Sequence, residues 1–208
     1  MSRAPYDSLN LGILTDDDPV DVHRNRDLLS AEVGLDRTAM GLQVHGADLA
    51  TWTGPPAARA PLQEVDGHVT DAEGLGLLVL AADCLPVALA APGRVAMLHC
   101  GWRGVAAGIL AAGVDAFDAP PAAVIGPGIG RCCFEVGPEV LEAFADVPGA
   151  AAGRMLDLRA VVEARLRNVG VTALEHVDLC TSCREDLFFS HRRDGGITGR
   201  QGGIVWLS

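Results

Sequence analysis

A chain of 208 residues with 49% hydrophobic content can bury a sizeable core, and it reads as one domain over residues 1–208. Its 27 acidic residues against 16 arginines and no lysine give a net charge of −11. That balance repels phosphodiester backbones and anionic lipid, so neither nucleic acid nor membrane is the expected partner.

The opening MSRAPYDSLNLG has no basic stretch leading into an apolar one, so a secretion signal is not expected and the compartment reads as the cytoplasm. In that reducing setting the six cysteines read as free thiols and metal ligands rather than a disulfide framework. DDDPVDVHRNRDLLSAEVGL predicts a proline-started, acid-capped helix from about Val20. The Pro- and Gly-rich segment Thr51 to Gly67 predicts a surface loop.

The long apolar run from Leu75 to Pro92 is interrupted by Asp83 and Pro86, which makes it buried sheet rather than a membrane span. Strands are predicted at Leu77–Ala82, Val87–Ala91 and Val95–His99, apolar enough to be covered on both faces. After Gly101, VAAGILAAGVDAF has helical spacing, so strand, tight turn and helix follow one another with His99 at the strand end. Ala122 to Gly130 predicts another strand running into a Gly/Pro loop, and LRAVVEARLRNVGV a helix stopped at Gly170. No internal repeat is present.

Three metal-ligand types lie in turns or at strand ends: His45 in QVHGADL, Cys84 in AADCLPV and His99 in LHCGWRG. Two imidazoles and a thiolate suit zinc, which in catalytic sites takes three protein ligands and keeps the fourth position open. The competing reading makes each histidine a hydrogen-bonded structural residue. CTSC, Cys180 to Cys183, has the spacing of zinc ribbons and thiol redox centres, but a second such pair is missing. The adjacent Cys132 and Cys133 cannot point the same way from a strand and would have to meet CTSC in space to close a structural Cys₄ zinc site, so buried free thiols are the expected reading over that alternative. The glycines of Gly126 to Gly130 could present N–H groups to an anion, with Arg103, Arg192 and Arg193 as bidentate donors; ordinary Gly-Pro turns and solvated arginines compete with that view.

In order along nearly the whole chain, QVHGADL, DGHVTDAEGLGLLVLAADCLPVAL, LHCGWRGVAAGIL, IGPGIGRCCFEVGPEV and CTSCREDLFFSHRRDGGITGRQGGIVWL closely resemble the YfiH/LACC family of purine nucleoside phosphorylases, once described as polyphenol oxidases. The resemblance implies a single-domain α/β fold, a layered α-β-β-α sandwich. It also implies a zinc held by His45, Cys84 and His99. The implied activities are phosphorolysis of adenosine, inosine, guanosine and methylthioadenosine, and deamination of adenosine. Cys100 stands where the family usually has a small residue, and a buried, unreactive thiol is expected there. Phe134, Ser182 and His191 replace common tyrosines, which implies altered substrate preference. Only five residues precede YDSLNL, where the family usually has a strand carrying TR-x-GG-V-S, so a wall of the substrate site is expected to be missing or the start to lie earlier.

Deamination asks for an activated water and a proton shuttle for the departing ammonia; Asp83 and Gln43 adjoin the ligands in sequence, though neighbours on a strand face apart. Gln43, Arg103, Arg192 and Arg193 are the candidate substrate-binding residues, the arginines clamping phosphate. Two rivals remain. One is a copper-dependent polyphenol oxidase on the same His₂Cys set, disfavoured because six histidines leave too few for an oxygen-reducing cluster. The other is a non-enzymatic metal-binding module in which His68 closes the fourth position.

Overall fold

The computed structural model describes residues 1–35, 37–57 and 61–208. Asp18 caps the first helix, α1 (Pro19–Val33), by accepting from the Val20 N–H at 2.8 Å, as the acidic, proline-started sequence predicts. The strands that follow are β1 (Thr38–Ala39), β2 (Leu49–Trp52), β3 (Gly67–Thr70), β4 (Gly76–Ala81), β5 (Leu85–Ala91) and β6 (Arg94–Cys100). Then come α2 (Trp102–Ala107), α3 (Ile109–Asp115), β7 (Ala122–Ile125), α4 (Pro138–Ala143) and the short pair β8 (Ala151–Ala152) and β9 (Met155–Leu156). The chain finishes with α5 (Leu158–Asn168), β10 (Leu174–His176) and β11 (Gln201–Val205).

The predicted loop from Thr51 to Gly67 needs correction at both ends, because Thr51 and Trp52 belong to β2 and Gly67 opens β3; residues 58–60 lie outside the described ones. The predicted helix after Gly101 is two helices. Gly108, at φ 98°, ends α2 in a left-handed cap and starts α3.

A six-stranded mixed sheet runs β10-β7-β5-β6-β3-β2, and a three-stranded sheet runs β1-β4-β11. Along β5 and β6, Leu85, Val87, Leu89, Ala96, Leu98 and Cys100 point toward α2, α3 and α5, where they meet Ile109, Leu110, Val161, Val162 and Leu166. Val95 and Met97 point the other way, toward Ala39, Leu77 and Val79 of the smaller sheet. The result is a mixed α/β layering of helix on sheet on sheet, which explains why β6 is apolar on both faces. Each fully buried leucine in these layers contributes about 1.5–3 kcal/mol.

The parity of β6 has a direct functional effect. His99 shares the face of Met97, away from the helices, while Cys100 shares that of Leu98. Ala82 to Cys84, between β4 and β5, carries the chain from the small sheet to the large one, so Cys84 sits at the seam between the two.

Candidate metal centre

At that seam the ligand atoms of His45, Cys84 and His99 all lie within 4.8 Å of one another. The His45 and His99 rings stand edge to face, with centroids 4.9 Å apart. The backbone is strained at two of the turns involved: His45 has φ 61° and Asp83, beside Cys84, has φ 94°. Such conformations cost roughly 1–3 kcal/mol each and persist only where the surroundings impose them.

At His45 what imposes the turn is Asp66, whose side chain is fully buried. Its Oδ2 accepts the N–H groups of Val44 (3.0 Å) and Gly46 (2.7 Å), and its Oδ1 accepts that of His45 (3.0 Å). The same Oδ1 lies 2.7 Å from His99 Nδ1. One carboxylate therefore shapes the turn that carries one ligand and orients the ring of another, leaving His99 Nε2 toward the other two. Burial alone would raise the Asp66 pKa, but His99 and the backbone donors hold it below the usual carboxylate value. At Cys84 burial opposes ionisation, yet the charges and hydrogen bonds of His99 and His45 bring the thiol down to about 6. Burial likewise disfavours the charged form of His99, but Cys84 and Asp66 raise it to about 9. The trio thus favours a thiolate, the form in which cysteine binds metal.

The fit to a metal rests on this donor chemistry. Two imidazoles and a thiolate converge, and the carboxylate behind His99 is the arrangement that fixes tautomer and ring direction in zinc sites. His68, the candidate fourth ligand, is elsewhere: it is fully buried, 3.2 Å from the Trp52 indole N–H, and not among the converging atoms. Cys100 points to the helix side, fully buried, and burial pushes its thiol up.

The trio opens into a cavity of about 510 Å³, within the range of small-molecule sites. Arg103 and Arg192 line it, as expected from their chemistry. Arg103 stacks on the Trp102 ring at 4.3 Å; Arg192 lies over Phe134 and donates to the Cys133 and Glu135 carbonyls. Gln43 reaches the cavity wall, but both ends of its amide are engaged by the Leu80 backbone, at 2.7 and 2.8 Å. Asp83 is similarly occupied, accepting from Thr181 Oγ1 and from the Arg192 N–H, which argues against a proton-shuttle role. Arg193 does not reach the cavity: it turns away to Asp194 and the Thr181 and Phe188 carbonyls, because adjacent side chains in this turn diverge. The Gly126 to Gly130 loop is not an anion cradle either. Its Gly126, Ile129 and Gly130 N–H groups go to Pro86 O, Asp83 O and Cys180 Sγ. Two arginines to which the sequence reading gave no role, Arg26 and Arg200, also line the cavity; Arg26 sits in a helix with no motif, and Arg200 lies in the TGRQ segment, which carried the resemblance but no assigned chemistry.

The family described as multi-copper polyphenol oxidoreductase laccase matches residues 1–208. The chain belongs to this family. Among its relatives, the Escherichia coli protein named purine nucleoside phosphorylase YfiH is 39% identical over 100% of this chain and 89% of its own. A Streptomyces coelicolor protein, also named purine nucleoside phosphorylase, is 40% identical over 100% of this chain and 91% of its own. The crystal structure of Bacillus licheniformis YfiH superposes with a TM-score of 0.94 at 33% identity, covering 100% of this chain and 88% of that one. That of YlmD from Geobacillus stearothermophilus gives 0.91 at 34% identity, with 99% and 87% covered. This laccase-family chain is therefore a mixed α/β protein of the YfiH type. Among the described residues no helix is long and apolar enough to cross a membrane.

Proposed function

We propose that residues 1–208 form a cytoplasmic, zinc-dependent purine nucleoside phosphorylase. Its substrates would be adenosine, inosine, guanosine and methylthioadenosine, with adenosine deamination as a second activity. The observation that carries this reading is the meeting, in one cavity, of the His45–Cys84–His99 trio with four arginines, Arg26, Arg103, Arg192 and Arg200, in a chain of net charge −11. The names of the relatives supply the substrate class.

His45, Cys84 and His99 would hold the metal. Zinc, when bound, supplies Lewis acidity and lowers the pKa of a coordinated water toward neutrality. Asp66 keeps His99 oriented by holding the proton on Nδ1. Arg103 and Arg192 bind phosphate and offset the charge that develops on transfer of the ribosyl group. Trp102 and Phe134 give the cavity aromatic walls on which a purine stacks. The copper reading lacks support at the level of geometry: among the described residues, the converging ligand groups are this trio and a set of four cysteines, with no histidine-rich cluster for oxygen reduction.

Incubating the zinc-loaded protein with adenosine, with and without phosphate, separates the outcomes. Ribose 1-phosphate and adenine mark phosphorolysis, inosine marks deamination, and phenol oxidation by copper-loaded protein alone contradicts the proposal. Replacing Arg103 or Arg192 with Ala raises the phosphate requirement roughly tenfold or more, from about 1.5–3 kcal/mol per charged hydrogen bond lost, and spares deamination. Equal loss of both activities with zinc intact would remove the arginine from phosphate binding.

A further inference from the structure

Apart from Cys100, the cysteines that the trio does not use are gathered elsewhere. The Sγ atoms of Cys132, Cys133, Cys180 and Cys183 lie within 4.8 Å of one another. Cys183 Sγ is 3.5 Å from that of Cys132 and 3.4 Å from that of Cys133. A disulfide needs about 2.05 Å, whereas four thiolates around a zinc at about 2.3 Å stand some 3.8 Å apart. The cluster's spacing is too wide for a disulfide and close to that of four sulfurs around one ion.

Sequence alternation argued that Cys132 and Cys133 cannot face the same way, but that rule holds for strands. Residues 131–133 form a turn, with the Cys133 and Phe134 N–H groups both bonded to Gly130 O at 3.0 Å. The expected burial also fails, since Cys132 and Cys183 are exposed. CTSC lies in the facing turn, where the Thr181 N–H meets Gly128 O at 3.1 Å and that of Arg184 meets Cys180 O at 3.1 Å. Gly130 lets the turns abut: a Cβ there would lie 3.2 Å from Cys180 Cβ and 3.3 Å from Cys132 Sγ, and its N–H donates to Cys180 Sγ at 3.2 Å. An N–H directed at a sulfur is the outer-shell support that thiolate ligands receive in metal sites.

We propose that Cys132, Cys133, Cys180 and Cys183 form a second, structural zinc site, closed by four thiolates and separate from the His45–Cys84–His99 centre. It fastens the turn after β7 to the turn after β10, and both feed the cavity. Phe134 follows Cys133, Arg192 is anchored on the Cys133 carbonyl, and Thr181, inside CTSC, donates to Asp83 at 2.6 Å. The site therefore positions the cavity wall without reaching the substrate.

Metal counting on the zinc-supplied full chain tests this. Cys84→Ser should retain about one zinc per chain, and Cys84→Ser combined with Cys183→Ser none. An unsubstituted chain with about two supports both sites, whereas about one in it and in Cys84→Ser leaves this site standing and removes the trio's. Cobalt(II) in Cys84→Ser gives a readout that needs no second substitution. Strong sulfur-to-cobalt charge-transfer absorption should appear, and the four thiols should resist alkylation until a chelator strips the metal. Cys84→Ser protein that takes up no metal, alkylation of all four thiols with metal present, or a disulfide among them would overturn the proposal.

Discussion

The carboxylate of Asp66 serves two ligands through four contacts, and asparagine in its place offers a single acceptor oxygen. Asp66→Asn is expected to weaken zinc binding at the trio about 10–100-fold, the usual effect of losing such a partner. Phosphorolysis should fall with it and recover in excess zinc. Zinc competition against a chromogenic chelator in the Cys183→Ser background reads this directly, and an unchanged affinity would contradict the role given to Asp66. His45, Cys84 and His99 could be singled out in the sequence as metal-ligand types beside glycines and strand ends, and the resemblance, not their spacing, set them apart from structural histidines; the fold brings their ligand atoms together. Asp66 was not, because an acid before glycine reads as a turn residue, and its partners lie 20 to 33 positions away. Arg193 misleads for the opposite reason: nearness in sequence to Arg192 does not direct its side chain into the cavity.

Between elements, the passage from β6 to α2 runs through Gly101, where a Cβ would lie 3.0 Å from both Cys84 Sγ and His45 Cδ2. Gly101→Ala is therefore expected to push the ligands apart and lower zinc affinity, with an overpacking cost of about 1–3 kcal/mol. Gly108→Ala is the contrast. Its Cβ meets open space, but φ 98° makes the substitution cost about 1–2 kcal/mol of stability while zinc stays bound. Denaturant melts paired with metal analysis separate the two, and equal zinc retention in both would refute the crowding argument. The long apolar strands β4, β5 and β6 could be read from composition because both faces are covered. Strands β2, β3 and β11 could not: the first two flank and overlap the Pro- and Gly-rich segment that reads as loop, and β11 carries two glycines whose pairing with β4 only the fold reveals. The break at Gly108 was hidden inside a pattern that is helical on both sides of it.

For the whole molecule, acid stability should reflect His68, fully buried on β3, with its Nδ1 facing the Trp52 indole N–H. Burial lowers its pKa to about 4, Asp66 opposing. As pH falls the unfolded chain, with an ordinary value near 6.5, takes up the proton first. Stability on this account is full above about pH 6.5, declines toward pH 4 and levels below it, a loss of about 3 kcal/mol. His68→Gln should flatten that part of the curve in denaturant titrations at successive pH values; parallel curves for the two proteins would count against a buried neutral imidazole.

Net charge also acts at this scale, since an acidic chain that gathers four arginines around one cavity concentrates its attraction for anions there. The composition disclosed the acidity but not its distribution, which depends on bringing Arg26, Arg103, Arg192 and Arg200 together from distant segments.

The central claim, that the His45–Cys84–His99 trio is the working centre of a phosphorolytic enzyme, is tested most directly by Cys84→Ser. Ribose 1-phosphate formed from inosine and phosphate is measured alongside zinc content. The account predicts phosphate-dependent turnover in the unsubstituted protein, and in the variant a loss of about one zinc per chain together with that turnover. Undiminished ribose 1-phosphate formation by Cys84→Ser, or none from the fully zinc-loaded unsubstituted chain, would contradict it.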